Sequence, residues 1–365
     1  MFGNGILGKL ATGGCGLLAM AALLAYALPS ANAQSPAAFY KGKNVRLMIG
    51  YGPGGSYDSY ARLVARHLGK HIPGKPNVIP QNKPGSGSLV ATNFLYNVAP
   101  RDGSVIAALG QGIYFMQLLE RPKIKFDARK ITWIGRMTDV TSLVVAWHKS
   151  KAKTIADLQK VSIPIAVGGT LSGSTLSISF LNKLTGTKFK PIKGYRAASA
   201  LLAMERGEVD ATASVTWLAM KAKYGRWLKE KKVNILVQVA LQRAPGLENV
   251  PLLSDLGTTK ADRTMLTVLS STNAIGRSLS APPGLPADRV AALRGAFDAM
   301  VKSKTFLAEA KRIGHPINPL SGAALRKIVL QAGDLTPAMI KRIQAIVAIK
   351  YRSIKKKKKK KKKKM

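Results

Sequence analysis

The sequence predicts an α/β protein of two lobes, on three observations. After residue 34, apolar runs of strand length alternate with stretches of helical period, the pattern of α/β layers with mainly parallel sheets. One arrangement, an apolar run followed by a glycine-rich turn and an amphipathic helix, occurs twice: around residues 45–68 and again around 163–184. The chain has 365 residues, enough for two domains with separate cores, and its 46% hydrophobic content and 34 glycines fit a packed globule rather than a disordered protein.

The N-terminus reads as an export signal. Lys9 supplies a positive start, residues 17–28 an apolar core, and Ala31-Asn32-Ala33 a small-x-small cleavage site before Gln34. That apolar core falls short of the ~20 residues a spanning helix needs. Cys15 is the single cysteine, and Thr12 stands where a lipoprotein signal has a large apolar residue, so the mature chain is expected to hold neither disulfide nor thiol nucleophile. Residues 45–49 then read as a first strand. In the next helix Tyr57, Tyr60, Ala61, Val64 and Leu68 share one face, with Arg62 and Arg66 turned away. Residues 77–80 form an edge-type strand bracketed by prolines, 89–98 a helix, 104–109 a strand and 114–119 a short helix. The β-rich stretch 131–147 is expected to cross between lobes. The second lobe then has strand 163–167, helices 175–184 and 197–206, and strands 209–215 and 235–240. Gly186 and Gly207 end those two helices, since glycine accepts positive φ. Residues 265–274 are expected to cross back, and 287–300, 305–312 and 323–351 are helical, with Pro337 breaking the last.

The formal charge of +41 is uneven in source, and a quarter of it comes from Lys355 to Lys364, an unbroken run of ten. Such a block repels itself and stays solvated. It reads either as an attachment to an anionic surface or as a coding extension without a specific role. The remaining excess is spread over helices, at Arg62, Arg66 and Lys70 for example, and raises the local concentration of small anions. Nucleic acid is not expected as a partner of an exported chain without interleaved aromatic and basic motifs.

Templates for catalysis are missing from the sequence. It has no G-x-S-x-G elbow and no phosphate loop, and Tyr57 occupies the last glycine position of a dinucleotide fingerprint begun by Gly52, Gly54 and Gly55. The four histidines, His67, His71, His148 and His315, lack partners at metal-binding spacing. The acids, 17 in all, make no evident general acid/base pair. No catalytic residue, metal or cofactor is expected. The glycine turns offer free backbone N–H groups at the positive end of a helix dipole, which suits a bound anion, although a purely structural turn would use the same residues.

The run Pro53-Gly54-Gly55-Ser56-Tyr57-Asp58-Ser59-Tyr60-Ala61-Arg62 resembles the P-G-G-x-x-D-x-x-A-R signature of the Bug/TctC family, the periplasmic solute-binding receptors of tripartite tricarboxylate transporters. Residues 81–88 resemble the family's E-N-x-P-G-A-G-G, and Ala99-Pro100-Arg101-Asp102-Gly103 its A-x-P-D-G with one insertion. Phe126-Asp127, Ile134-Gly135, Gly207-Glu208-Val209-Asp210 and Pro282-Pro283-Gly284-Leu285-Pro286 continue the likeness in order across nearly the whole mature chain.

The resemblance implies a type II periplasmic-binding-protein fold, with two lobes around a ligand cleft, and a monomeric, non-catalytic receptor. The implied ligand is a di- or tricarboxylate, an aromatic acid or an acidic amino acid, passed to membrane subunits of the transporter. Together with the pattern of elements, the expected organisation is a signal peptide 1–33 cleaved after Ala33, lobe 1 over residues 34–133 plus 272–354, lobe 2 over 134–271 and a disordered tail 355–365. Carried over by position, the first lobe binds through Gly54, Gly55, Ser56, Tyr57 and Asp58, with Ser86, Gly87 and Gln111 beside them. The second contributes Thr170, Ser172, Gly173, Ser174, Tyr195 and Arg196, with Asp210 near the cleft edge, and Tyr57 and Trp217 could wall the cleft. This chain departs from its relatives at Ile178, where many have histidine, at the bulky Gln111, and in the order Lys193-Gly194-Tyr195-Arg196. An exported enzyme on the same frame and a ligand sensor or surface-binding protein are the alternative readings.

Overall fold

The computed structural model describes residues 34–119, 123–170, 172–195, 197–331 and 335–348. The expected signal segment, Arg196 and the lysine tail lie outside the described residues. Eleven strands are described: β1 (Asn44–Ile49), β2 (Asn77–Asn82), β3 (Val105–Ala108), β4 (Thr132–Thr138), β5 (Ser142–Trp147), β6 (Ile163–Val167), β7 (Phe189–Lys193), β8 (Ala211–Thr216), β9 (Val233–Val239), β10 (Arg277–Ala281) and β11 (Leu320–Ser321). They form two sheets, ordered β11-β4-β10-β3-β1-β2 and β7-β6-β8-β5-β9, one for each lobe.

Each sheet has a parallel half and an antiparallel half. β1 pairs in parallel with β2 and β3, whereas β10 runs antiparallel to β3 and β4. In the second sheet β6 pairs in parallel with β7 and β8, while β5 runs antiparallel to β8 and β9. The expectation of mainly parallel sheets therefore holds only for the strand–turn–helix halves. The strands nearest the crossings, β4, β5 and β10, pair antiparallel because the chain leaves and re-enters each sheet through them.

Helices cover both faces of the first sheet, so β3 is fully buried, as are the last three residues of β1. On one face Leu47, Ile49, Ile106 and Leu279 pack with Leu63, Leu68, Phe297 and Phe306. On the other, Met48, Val105, Ala107 and Trp133 share a core with Leu95 and Phe115. That second core runs on into the other lobe through Phe180, whose ring centroid lies 6.1 Å from that of Phe115. β2 sits at the sheet edge, which accommodates Pro80 within it because no outer neighbour needs its missing N–H.

The chain passes from the first sheet to the second between Thr138 and Ser142, so all of β4 belongs to the first sheet, beyond the expected boundary at residue 133. The return, expected within 265–274, comes after the helix Lys260–Ile275, at Gly276. Gly276 has φ 52°, and a Cβ there would lie 2.0 Å from the Thr138 carbonyl oxygen, so a side chain is excluded where the two crossings touch. The Val140 N–H donates to the Asn273 carbonyl at 3.0 Å, tying the outgoing segment to the end of the returning helix. The last described helix, Pro337–Ala348, packs on the helices Gly173–Leu184 and Lys260–Ile275, and Arg342 pairs with the buried Asp262 at 2.7 Å. It therefore lies against the second lobe and not only the first.

Candidate ligand-binding site

Strand direction decides where the two glycine turns point. Because β10 runs antiparallel to β3, its first residue, Arg277, lies at the C-terminal end of β3. Because β5 runs antiparallel to β8, Ser142 opens β5 opposite Thr216, the last residue of β8. Both crossings thus run past the C-terminal ends of the parallel strands. The turns after β1 and β6 leave from those ends, so both open toward the hinge. In open α/β sheets this end is where ligands are held.

In the first lobe, three loops converge. The turn after β1 leads to the helix Ser56–Leu68, whose cap residue, Gly55, provides no side-chain cap. The first-turn amides of that helix are left to other partners, the condition for holding an anion. Asp58 braces the turn from beneath. It is 4% exposed, and its carboxylate accepts from the Gly54 N–H at 3.0 Å, Arg62 Nε at 3.0 Å and Asn82 Nδ2 at 2.8 Å. Burial works against its ionisation, but the hydrogen bonds from Arg62, Asn82 and Gly54 outweigh it and hold its pKa below the usual carboxylate range. Asp58 thus braces the turn, its oxygens already partnered by Gly54, Arg62 and Asn82.

The second loop, Ser86-Gly87-Ser88, holds three consecutive residues at positive φ (47°, 66° and 81°), a conformation non-glycine residues rarely adopt. Ser86 and Gly87 are exposed and Ser88 is buried. In the third loop Gly110 allows close approach, since a Cβ there would lie 2.6 Å from the Tyr51 hydroxyl and 2.9 Å from the Gly87 carbonyl. Gln111 follows. Its N–H donates to the Tyr57 hydroxyl at 2.9 Å, and Tyr57 stacks on Tyr51 with centroids 4.3 Å apart. Burial raises the Tyr51 pKa, so that phenol stays neutral at ordinary pH.

Sequence reading missed Arg277. Its Nη1 donates to Gln111 Oε1 at 2.7 Å and its Nε to Ser56 Oγ at 3.1 Å, and its guanidinium carbon sits 4.1 Å from the Tyr57 centroid. Asn273 was missed as well. It accepts from Gln111 Nε2 at 2.5 Å and donates to the Val239 carbonyl at 2.7 Å, linking a first-lobe loop to the end of β9.

The second-lobe turn is organised by hydroxyls. Ser172 caps the helix Gly173–Leu184, its Oγ accepting from the Thr175 N–H at 3.3 Å. Ser174 Oγ accepts from the Gly168 N–H at 3.0 Å and lies 3.0 Å from Ser172 Oγ and 3.3 Å from Ser214 Oγ. Ser214, near the end of β8, was not expected in the site. Gly194 and Tyr195 run alongside, their N–H groups donating to the carbonyls of Gly168 and Val167. The Tyr195 ring packs on the core around Leu201 and Met204. Lys193 Nζ reaches Thr170 Oγ1 at 3.4 Å. Trp217, half-buried, sits at the hinge with its N–H on the Thr141 carbonyl and its indole N–H on the Pro245 carbonyl.

Asp210 does not join this group. It directly precedes β8, and its N–H donates to the Pro164 carbonyl at the start of β6. Since β6 and β8 are parallel, Asp210 lies at the end of the sheet opposite the turn. Of the expected residues, Gly54, Gly55, Ser56, Tyr57, Asp58, Ser86, Gly87 and Gln111 gather in one lobe, and Thr170, Ser172, Gly173, Ser174 and Tyr195 in the other. No group of three or more His, Cys, Asp or Glu gathers among the described residues.

Two α/β lobes joined by two crossings, with paired strand–helix turns opening on the hinge, define the class of periplasmic binding proteins. Within that class, residues 60–311 match the family of tripartite tricarboxylate transporter receptors, and the chain belongs to that family. A TctC solute-binding protein from Polaromonas has a similar fold, with a TM-score of 0.64 at 20% identity, over 85% of this chain and 99% of that one. MatC from Rhodopseudomonas palustris, solved with bound malate, is similar with a TM-score of 0.54 at 20% identity, over 84% and 99% of the two chains. A UPF0065 protein of Cupriavidus necator is 26% identical over 244 residues, 65% of this chain and 71% of its own length.

Proposed function

We propose that the mature protein is an exported, monomeric receptor that captures a small carboxylate in the periplasm and delivers it to membrane subunits of a tripartite transporter, without chemistry of its own. In this reading the signal segment is removed after Ala33, and the lobes meet at residues 139–141 and Gly276. The observation that carries it is the pair of turns opening on one hinge, one with an uncapped helix end and the other lined by hydroxyls. Malate in MatC supports a carboxylate as the ligand class. Closure of the lobes about the hinge traps the acid and creates the surface that the membrane subunits read.

A thermal-shift screen of di- and tricarboxylates, aromatic acids and acidic amino acids tests this, alongside native mass spectrometry of freshly purified protein. Ligand at a hundred times its dissociation constant stabilises the folded state by about 2.7 kcal/mol, so a binding acid raises the melting temperature clearly. Folded protein that responds to no acid rejects the receptor reading, and turnover of an acid points to the enzyme instead.

A further inference from the structure

We propose that Arg277 is the residue that recognises the ligand's charge, pairing directly with the carboxylate held in the first lobe. This rests on the receptor reading above and specifies how that site selects its ligand. Arg277 opens β10 immediately after the hinge glycine, and its partly buried side chain lies across the mouth of the first-lobe turn. Its described hydrogen-bond partners are neutral: Ser56 Oγ at 3.1 Å and Gln111 Oε1 at 2.7 Å. No ion pair among the described residues includes it.

The position is electrostatically unfavourable for a cation in isolation. Ser56 is the first residue of a 13-residue helix, so the guanidinium stands at the positive end of that helix dipole, where anions are favoured and cations are not. Two acids lie near without pairing with it: the Asp58 carboxylate is occupied by Arg62, Asn82 and the Gly54 amide, and Asp139, on the outgoing crossing, accepts from Asn318 Nδ2 at 2.9 Å. The guanidinium is nevertheless held in place, stacked 4.1 Å from the centroid of Tyr57, on the face that Tyr51 leaves free. A fixed, unpaired guanidinium beside uncapped amides is complementary to a carboxylate, which can accept two parallel N–H bonds from it. A bound acid would replace Ser56 Oγ and Gln111 Oε1 as acceptors. A neutral amide of the same shape offers one uncharged acceptor oxygen in place of two charged ones, and pairs more weakly.

The test is titration calorimetry at low salt with malate, adipate and their neutral diamides, on the wild type, Arg277→Gln and Arg277→Met. Hydrogen bonds to charged groups are worth about 1.5–3 kcal/mol, so either variant should weaken diacid binding roughly tenfold to a hundredfold. The preference for diacid over diamide should shrink by a similar factor. Lys70→Gln, an exposed cation on the outer face, should leave that preference unchanged, which separates direct pairing from the general positive field. Wild-type protein that binds an acid while the Arg277 variants bind it within twofold overturns the inference and spares the receptor reading. Wild-type protein that binds diamides as tightly as diacids does the same, and needs no variant to fold. Wild-type protein that binds no acid overturns both.

Discussion

The turn after β1 is braced by a buried carboxylate and guarded by an arginine, whereas the turn after β6 is braced by serine and threonine hydroxyls alone. Both leave a parallel strand and start a helix. The first helix begins at Gly55 without a side-chain cap, so its amides stay open, and Asp58 holds the loop through bonds to Gly54, Arg62 and Asn82. The second begins at Ser172, whose hydroxyl already satisfies one of those amides. A shared local pattern thus yields two electrostatic environments. The first concentrates positive potential on one point, and the second presents a cluster of neutral hydroxyls.

The largest difference between the two should appear when each brace is removed. Asp58→Ala strips Arg62, Asn82 and the Gly54 amide of a shared acceptor, and should destabilise the protein by about 2–3 kcal/mol in urea titrations, allowing for the solvent-exposed side of Arg62. The same change should abolish acid binding by loosening the turn. Asp58 also titrates with a predictable sign. Its folded pKa lies below its unfolded one, so its contribution is full above about pH 4 and is lost as pH falls through the folded value. Asp58→Asn should therefore flatten the loss of stability below about pH 4. An Asp58→Ala variant of unchanged stability would show that the first turn is not braced in this way.

The two turns were legible in the sequence but the contrast between them was not, and both facts have physical causes. The runs 45–49 and 163–167 and the helices after them emerged because apolar period and glycine position are local signals. β7 (FKPIK) was missed because its residues alternate in burial and include two lysines and a proline, so pairing with β6 rather than local preference makes it a strand. β10 (RSLSA) contains no apolar run and is defined by β3 and β4 on either side. Arg277 follows from that omission, since its role depends on residues 56, 57 and 111, brought together only by the fold. Asp210 was misplaced for the complementary reason: its motif was recognised, but only strand direction shows which end of the sheet it occupies.

A smaller effect is expected from the second brace. Ser172→Ala removes a helix cap, worth about 1 kcal/mol, and loosens Ser174 and Thr175. Ser172→Gly should cost less stability than alanine, because glycine is nearly as good a cap, yet should weaken ligand binding equally if the hydroxyl itself contacts the acid. Equal binding by Ser172→Gly and wild type would confine this serine to capping. Comparing urea midpoints with acid affinity for the pair of variants therefore separates the structural role of the second turn from its binding role, a separation Asp58 does not permit.

The smallest effect should come from Lys193, the cation beside the second turn. Among the described residues its ammonium makes a long contact to Thr170 Oγ1 at 3.4 Å, and its side chain is partly open to solvent. Ion pairs of that exposure are worth about 0–1 kcal/mol, so Lys193→Met should weaken acid binding by no more than about fivefold. Salt should distinguish it from Arg277. A half-exposed cation acts through a screened field, whose range contracts from about 30 Å at 0.01 M salt to about 10 Å at 0.1 M. The Lys193→Met defect should thus fade as salt rises over that interval, while the Arg277→Gln defect, made of direct hydrogen bonds, persists. Equal salt sensitivity of the two defects would erase the distinction between a fixed charge in one lobe and a cluster of neutral hydroxyls in the other.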